Sequence, residues 1–281
     1  MTESGSAPGE QEVRRGDASP GALPTLINTT RYGFLVKWRK TIVDRMVAAR
    51  SRRAKATLKR HTELWSLMTE AAAGTAVTGA SYSDYLTLYD QVKSFKPKEI
   101  LECGTGITTV VLAQALLENA RETGGDPGRV TSMEDDQEWY DVAKTRLPEA
   151  VSSVVDLIHS PKVDGYYKCF RGVMYETVPD RHSPVNGDKL FNLDLINVVR
   201  RADRPVRAVV DNHYLTFYIL QKVFGVSLAR YSTSHKLMFV GPVTKDDVRF
   251  LKKESFIPDL RLFGTTELKL RMAREDWFGG P

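Results

Sequence analysis

Apolar positions repeat at two spacings along the chain, and the spacing changes at Pro97. Before it, Leu35, Trp38, Ile42, Met46 and Ala49 are three or four residues apart and fall on one helical stripe. Leu58, Trp65, Met68 and Ala72 form a second. Together they predict one long helix or two consecutive helices over roughly residues 31–73. The stretch from Gly74 to Gly79 interrupts the pattern. Ser81 then precedes Tyr85, Leu88, Val92 and Phe95 at helical spacing, and Ser81-x-x-Asp84 is a variant of the capping box. Pro97 stops this helix.

Beyond Pro97, short apolar runs alternate with helical segments. EILEC, RVTSMED, VVDLIHS and VRAVVDN read as strands. ITTVVLAQALLENARETG, QEWYDVAKTRLP, DLINVV and TFYILQKVFG read as helices, several of them closed by Gly or Pro. LARYSTS and KLMFVGP are separated by one residue and predict an antiparallel hairpin. This order predicts an α/β fold with a Rossmann-like, mostly parallel sheet, closed by that hairpin. A ligand would sit beyond the carboxyl ends of the strands. The expected domains are a polar, disordered tail over 1–30, a basic helical extension over 31–79, the α/β domain over 80–242 and a C-terminal extension over 243–281.

Charge changes this picture only at the N-terminal side. Residues 31–60 hold eleven Lys/Arg and one Asp, whereas the whole chain is +5. A basic amphipathic helix can pack with its charged face outward or lie on an anionic membrane surface. Without other nucleic-acid motifs it is a weak argument for a nucleic-acid partner. The first residues lack the apolar stretch of a signal peptide, and no apolar run is long enough to span a bilayer. Cys103 and Cys169 do not suggest a disulfide framework or a metal-type spacing, so a cytoplasmic location is expected. The oligomeric state is left open.

The candidate chemistry lies in KEILECGTGITTVVLA. Gly104-Thr105-Gly106 begins like a dinucleotide fingerprint, but position 109, where that pattern wants a small residue, is Thr. Glu102 precedes the turn. A carboxylate there disfavours a pyrophosphate and favours a ligand that carries positive charge and hydroxyls. Glu134, Asp135 and Asp136 end the second strand, and Glu134 is the best placed to accept ribose hydroxyls.

LECGTGITTVVLA followed by VTSMED resembles motifs I and II of class I S-adenosylmethionine-dependent methyltransferases, and the YSTS-H-KLMFV hairpin resembles the strand pair that closes their sheet. The resemblance covers roughly residues 80–242. It implies that Glu102, Gly104, Thr105 and Gly106 line the methionine part of S-adenosylmethionine, that Glu134 holds the ribose, and that His159 and Ser160 lie near the adenine. It implies methyl transfer, with a small-molecule acceptor as the default. Asp211-Asn212 resembles the metal-binding pair of catechol-type O-methyltransferases, but these residues equally suit a helix cap, and no metal is assigned. His213 follows them and is a candidate base.

Such enzymes place a further strand next to the first, ending in an acid. Two explanations compete for it here. GVMYETV serves as this strand, with Asp180 as its tip acid, or the strand is absent and leaves a gap in mid-sheet. A gap would expose backbone hydrogen-bonding groups and put catalysis in doubt. A non-catalytic binding module on the same fold, docked through the basic helix, is therefore the alternative. A nicotinamide-dependent oxidoreductase is disfavoured by Glu102 and Thr109.

Overall fold

A computed structural model describes residues 29–73, 80–167, 170–176, 191–211 and 214–248. It opens with α1 (Thr29–Leu58), α2 (Thr62–Ala72) and α3 (Tyr82–Phe95). Then come β1 (Glu99–Cys103), α4 (Ile107–Thr123), β2 (Arg129–Glu134), α5 (Gln137–Arg146), α6 (Glu149–Ser152) and β3 (Val155–His159). The remaining elements are β4 (Lys162–Tyr167), β5 (Phe170–Tyr175), β6 (Phe191–Asn192), α7 (Asp194–Arg201), β7 (Val206–Asp211), α8 (Tyr214–Phe224), β8 (Ala229–Ser232) and β9 (Leu237–Val243). A 3₁₀ turn at Lys245–Asp247 closes the series.

The chain divides into two units within α1, after Ile42. In the first, Trp38 is exposed. In the second, α1 buries Val43, Ala54 and Leu58, while Met46 is 47% exposed. The packed stripe is therefore displaced from the expected Ile42–Met46–Ala49 line. Periodicity finds a helix readily, but which of two adjacent stripes is buried depends on what packs against it. The expected extension is two helices, with Leu58, Leu64, Leu67 and Met68 in the core. The Ser81 amide donates to Asp84 Oδ2 at 2.7 Å, closing the capping box that starts α3. Among the described residues no helix is long and apolar enough to cross a membrane.

The α/β class holds. Among the described residues the strands fall into three sheets of three strands each. The first, β1-β2-β3, is parallel, with Glu102 opposite Ser132 and Glu134 opposite His159. The third, β7-β9-β8, is antiparallel and contains the expected hairpin. The second sheet was not legible. Lys162–Tyr167 forms β4 and pairs antiparallel with β5, and β6 adds a short parallel pairing on the other side of β5. The residues Gly172–Tyr175 of GVMYETV thus have strand neighbours on both sides, and neither is β1. Asp180 lies outside the described residues.

Two apolar clusters follow this division. One joins the end of α1, α2, α3, α4 and α6 to β2 and β3 around Leu58, Leu64, Leu116 and Val130. The other joins α7 and α8 to β7, β8 and β9 around Ile196, Phe217, Phe224 and Met238.

Candidate functional site

The site grows out of the β1–α4 turn. Gly104 takes φ +88°, a conformation that side-chain-bearing residues rarely adopt. Its amide donates to Met133 O at 2.7 Å, which ties the turn to β2. A Cβ added at Gly104 or at Gly106 would meet nothing within 4 Å, so the space over the turn is open.

Under the turn lies Glu102. Its carboxylate accepts from Thr109 Oγ1 at 2.5 Å and from Ser132 Oγ at 2.8 Å. Thr109 Oγ1 also accepts the Gly106 amide at 3.1 Å, so one hydroxyl joins the glycine turn to the buried acid. Burial pushes the Glu102 carboxyl up to about 7, a rise that hydrogen bonds from Thr108, Thr109 and Ser132 moderate and the charge of Glu134 adds to. The acid is therefore close to half-protonated at neutral pH. The Thr at position 109, which broke the dinucleotide pattern, now has a role. A small residue there could not donate to Glu102. Ser132 was not singled out from the sequence, and only its β-ladder position opposite Glu102 identifies it.

Over the turn lies Glu134, at the tip of β2. One carboxylate oxygen accepts the Thr105 amide at 2.9 Å and the Thr105 hydroxyl at 3.3 Å. The other accepts the amides of Asp135 and Asp136 at 3.1 and 3.2 Å. The side chain thus spans from β2 to the glycine turn and is held in place before any ligand arrives. Ser160 donates its amide to Glu134 O at 2.8 Å, which brings the end of β3 alongside. Tyr140 on α5 leans against His159, with ring centroids 5.7 Å apart.

Asp136 caps α5 by accepting the Trp139 amide at 3.1 Å. Asp135 pairs with Lys162 of β4 at 2.6 Å. Tyr175 is fully buried next to them, and its phenol is raised by burial and by the neighbouring Cys103, Asp135 and Glu134. Neither Lys162 nor this use of Tyr175 was read from the sequence. Residues 162–167, which form β4, were not assigned to any element from the sequence, so nothing local pointed to this pairing.

Glu102, Gly104, Thr105, Gly106 and Glu134 all line one cleft of about 1550 Å³. His159 stands next to Glu134 through the β2–β3 register but is not on the cleft wall. His213 and Asn212 lie outside the described residues. Asp211 ends β7 and lines the cleft. Among the described residues no group of three His, Cys, Asp or Glu is arranged to hold a metal ion.

The same cleft continues down between β1 and β7. Each is the end strand of its own sheet. Among the described residues no strand pairs with β1 on the side away from β2. No protein-family model matches the chain, and no curated protein matches it. The functional reading rests on the residues themselves.

Proposed function

We propose that this chain binds S-adenosylmethionine on a methyltransferase-type scaffold, over the open glycine turn between Glu102 and Glu134. The carrying observation is the bridge from Glu134 to the Thr105 amide. It sets an acceptor-only carboxylate at the tip of the strand next to the turn, where a ribose hydroxyl would take over the acceptor site that the Thr105 hydroxyl now holds at 3.3 Å. The open space over Gly104 and Gly106 fits a ligand backbone that approaches closely. The ligand carries a sulfonium and an ammonium and lacks phosphates. Glu102 and Glu134 together suit that charge and would repel a pyrophosphate.

When bound, the cofactor would supply an electrophilic methyl group. The chain's own part is positioning. Thr109 and Ser132 hold Glu102, Glu134 holds the turn, and α5 closes one side with Trp139. Proximity and orientation supply most of the acceleration in such a transfer. A small-molecule acceptor would have to enter from the side of β7.

The test is calorimetry with S-adenosylmethionine and with NAD on the full chain and on Glu134→Ala. Binding of the first and not of the second is expected. The variant should lose about tenfold to a hundredfold in affinity, the range for one charge-assisted contact. Tight binding of NAD, or equal affinity in the variant, overturns the reading.

A second reading is favoured by one observation. Among the described residues no strand stands next to β1 on the acceptor side. The chain would then bind the cofactor without transferring its methyl group. It would dock through residues 31–60, where α1 exposes Trp38 and Met46 among its Lys and Arg. Binding without turnover over a broad acceptor panel, together with pelleting on anionic vesicles that a chain lacking residues 1–73 does not show, supports this second reading.

A further inference from the structure

One ion pair ties the end of β2 to the start of β4. Lys162 Nζ lies 2.6 Å from Asp135 Oδ1. Lys162 stands opposite Tyr175 in the β4–β5 ladder, so both side chains leave the ribbon on the same face. The Lys162 ammonium sits 5.4 Å from the centre of the Tyr175 ring, and the Tyr175 phenol reaches the same Asp135 oxygen at 3.5 Å. Tyr175 is fully buried, and Asp194 Oδ1 accepts its amide at 3.3 Å. The Glu176 amide donates to Pro161 O at 2.9 Å. The ribbon that presents Lys162 is therefore itself fixed.

Three acids crowd the tip of β2, and each has a different partner. Asp136 caps α5 through the Trp139 amide. Asp135 is held by Lys162. Only Glu134 faces the glycine turn, and it is held at both oxygens. One accepts the amides of Asp135 and Asp136 at 3.1 and 3.2 Å, and the other accepts the Thr105 amide at 2.9 Å. A carboxylate takes its direction from the N–H groups that it accepts. Those of Asp135 and Asp136 are set by the backbone that Lys162 grips through the Asp135 side chain. A continuous path thus runs from Lys162 through Asp135 to Glu134, and from there to Thr105 in the turn.

We propose that Lys162 is a positioning residue for Glu134. From the second sheet it pins the backbone of Asp135 and Asp136, so that Glu134 keeps the direction a ligand in the glycine turn requires. This rests on the S-adenosylmethionine reading for its ligand, and on the bonds just given for its path.

Two features set this pair apart from a purely structural one. The side chains of Lys162 and Asp135 are 23% and 33% exposed, and a pair so placed is screened and adds little to stability. Its cation also has the wrong sign for the site. An ammonium next to these acids opposes a ligand that carries a sulfonium and an ammonium. Charge alone and positioning therefore predict opposite effects when Lys162 is removed.

Lys162→Met takes away the ammonium and keeps an apolar stem. If Lys162 acted only as a charge, this variant would bind S-adenosylmethionine more tightly than the parent. The expected result is a loss of about tenfold, within the range for members of one bonded network. Lys162→Arg should stay close to the parent, because a guanidinium also bonds a carboxylate. Asp135→Asn should weaken binding as Lys162→Met does, and the double variant no further than either single one. Equal or tighter binding by Lys162→Met overturns the proposal, and so does full additivity in the double variant. Amide hydrogen exchange on the ligand-free chain tests the path by itself. In Lys162→Met the Thr105, Asp135 and Asp136 amides should exchange about tenfold faster, while those of Ile100 and Val130 stay as in the parent. Unchanged exchange at Thr105 overturns the proposal even where S-adenosylmethionine binds. Faster exchange at Thr105 in a protein whose parent chain does not bind S-adenosylmethionine supports the path and overturns the cofactor reading instead.

Discussion

Thr109 Oγ1 donates to Glu102 Oε2 at 2.5 Å and accepts the Gly106 amide at 3.1 Å. One hydroxyl thus holds a buried acid and the turn above it. Glu102 has a carboxyl raised from 4.5 to about 7, chiefly by burial. A raised folded-state value means that the folded chain keeps its proton where the unfolded chain has lost it. Stability is then full below about pH 4.5 and falls as pH rises towards 7. The loss is about 3 kcal/mol at the upper end. Glu102→Gln keeps an acceptor for Thr109 and Ser132 and removes the titration. Its melting temperature should match that of the parent near pH 4.5 and exceed it at pH 8, as thermal unfolding across that range will show.

The same acid makes ligand binding depend on pH. A cation in the cleft favours the ionised carboxylate. Below pH 7, binding must therefore expel a proton. S-adenosylmethionine should bind more tightly at pH 8 than at pH 6, by up to about tenfold per pH unit below 7. In Glu102→Gln this slope should vanish. Calorimetry in two buffers of different ionisation enthalpy will read the proton release directly.

Gly128 precedes β2 at φ +80°, and a Cβ there would collide with the backbone of Lys98 at the start of β1. That backbone cannot move away without breaking the Arg129 N–H to Lys98 O bond that starts the parallel ladder. Gly128→Ala should therefore cost about 2 kcal/mol or more. Denaturant unfolding measures the loss, and faster exchange of the Ile100 and Thr131 amides would locate it.

The two apolar clusters should respond separately. Phe217 is fully buried in the α7–α8 cluster, and Leu116 is fully buried in the α3–α4 cluster. Phe217→Ala should cost about 3–5 kcal/mol. It should speed exchange in α8, β8 and β9 more than in α4 and β2, since units with their own cores open by themselves. Leu116→Ala should give the converse pattern. Equal acceleration of both halves by either variant would mean that they unfold as one.

Most individual elements were legible because their signals are local. The capping box at Ser81, the helix that Pro97 ends and the strands on either side of Gly104 all follow from neighbours in sequence. So does the setting of the site, since a glycine turn after one strand and an acid at the tip of the next need only two βα units. The bonds around Glu102 were not legible. Ser132 is thirty residues away, and only the β1–β2 register sets its hydroxyl opposite. The buried stripe of α1 was misjudged by one position, because Ile42 and Val43 are about equally apolar and only packing chooses between them.

Apolar periodicity in the chain was enough to determine the main helices, the strands of the first and third sheets and where the glycine turn falls, but not β4 or β6. The tertiary structure alone decided which strands are neighbours. It turned Phe170–Tyr175 towards Lys162–Tyr167 and left β1 and β7 facing each other across a cleft. The reason is physical. Side chains tell which face of a strand is buried, but strands pair through backbone N–H and C=O groups, which nearly every residue carries alike, so a strand's own sequence says little about its neighbour.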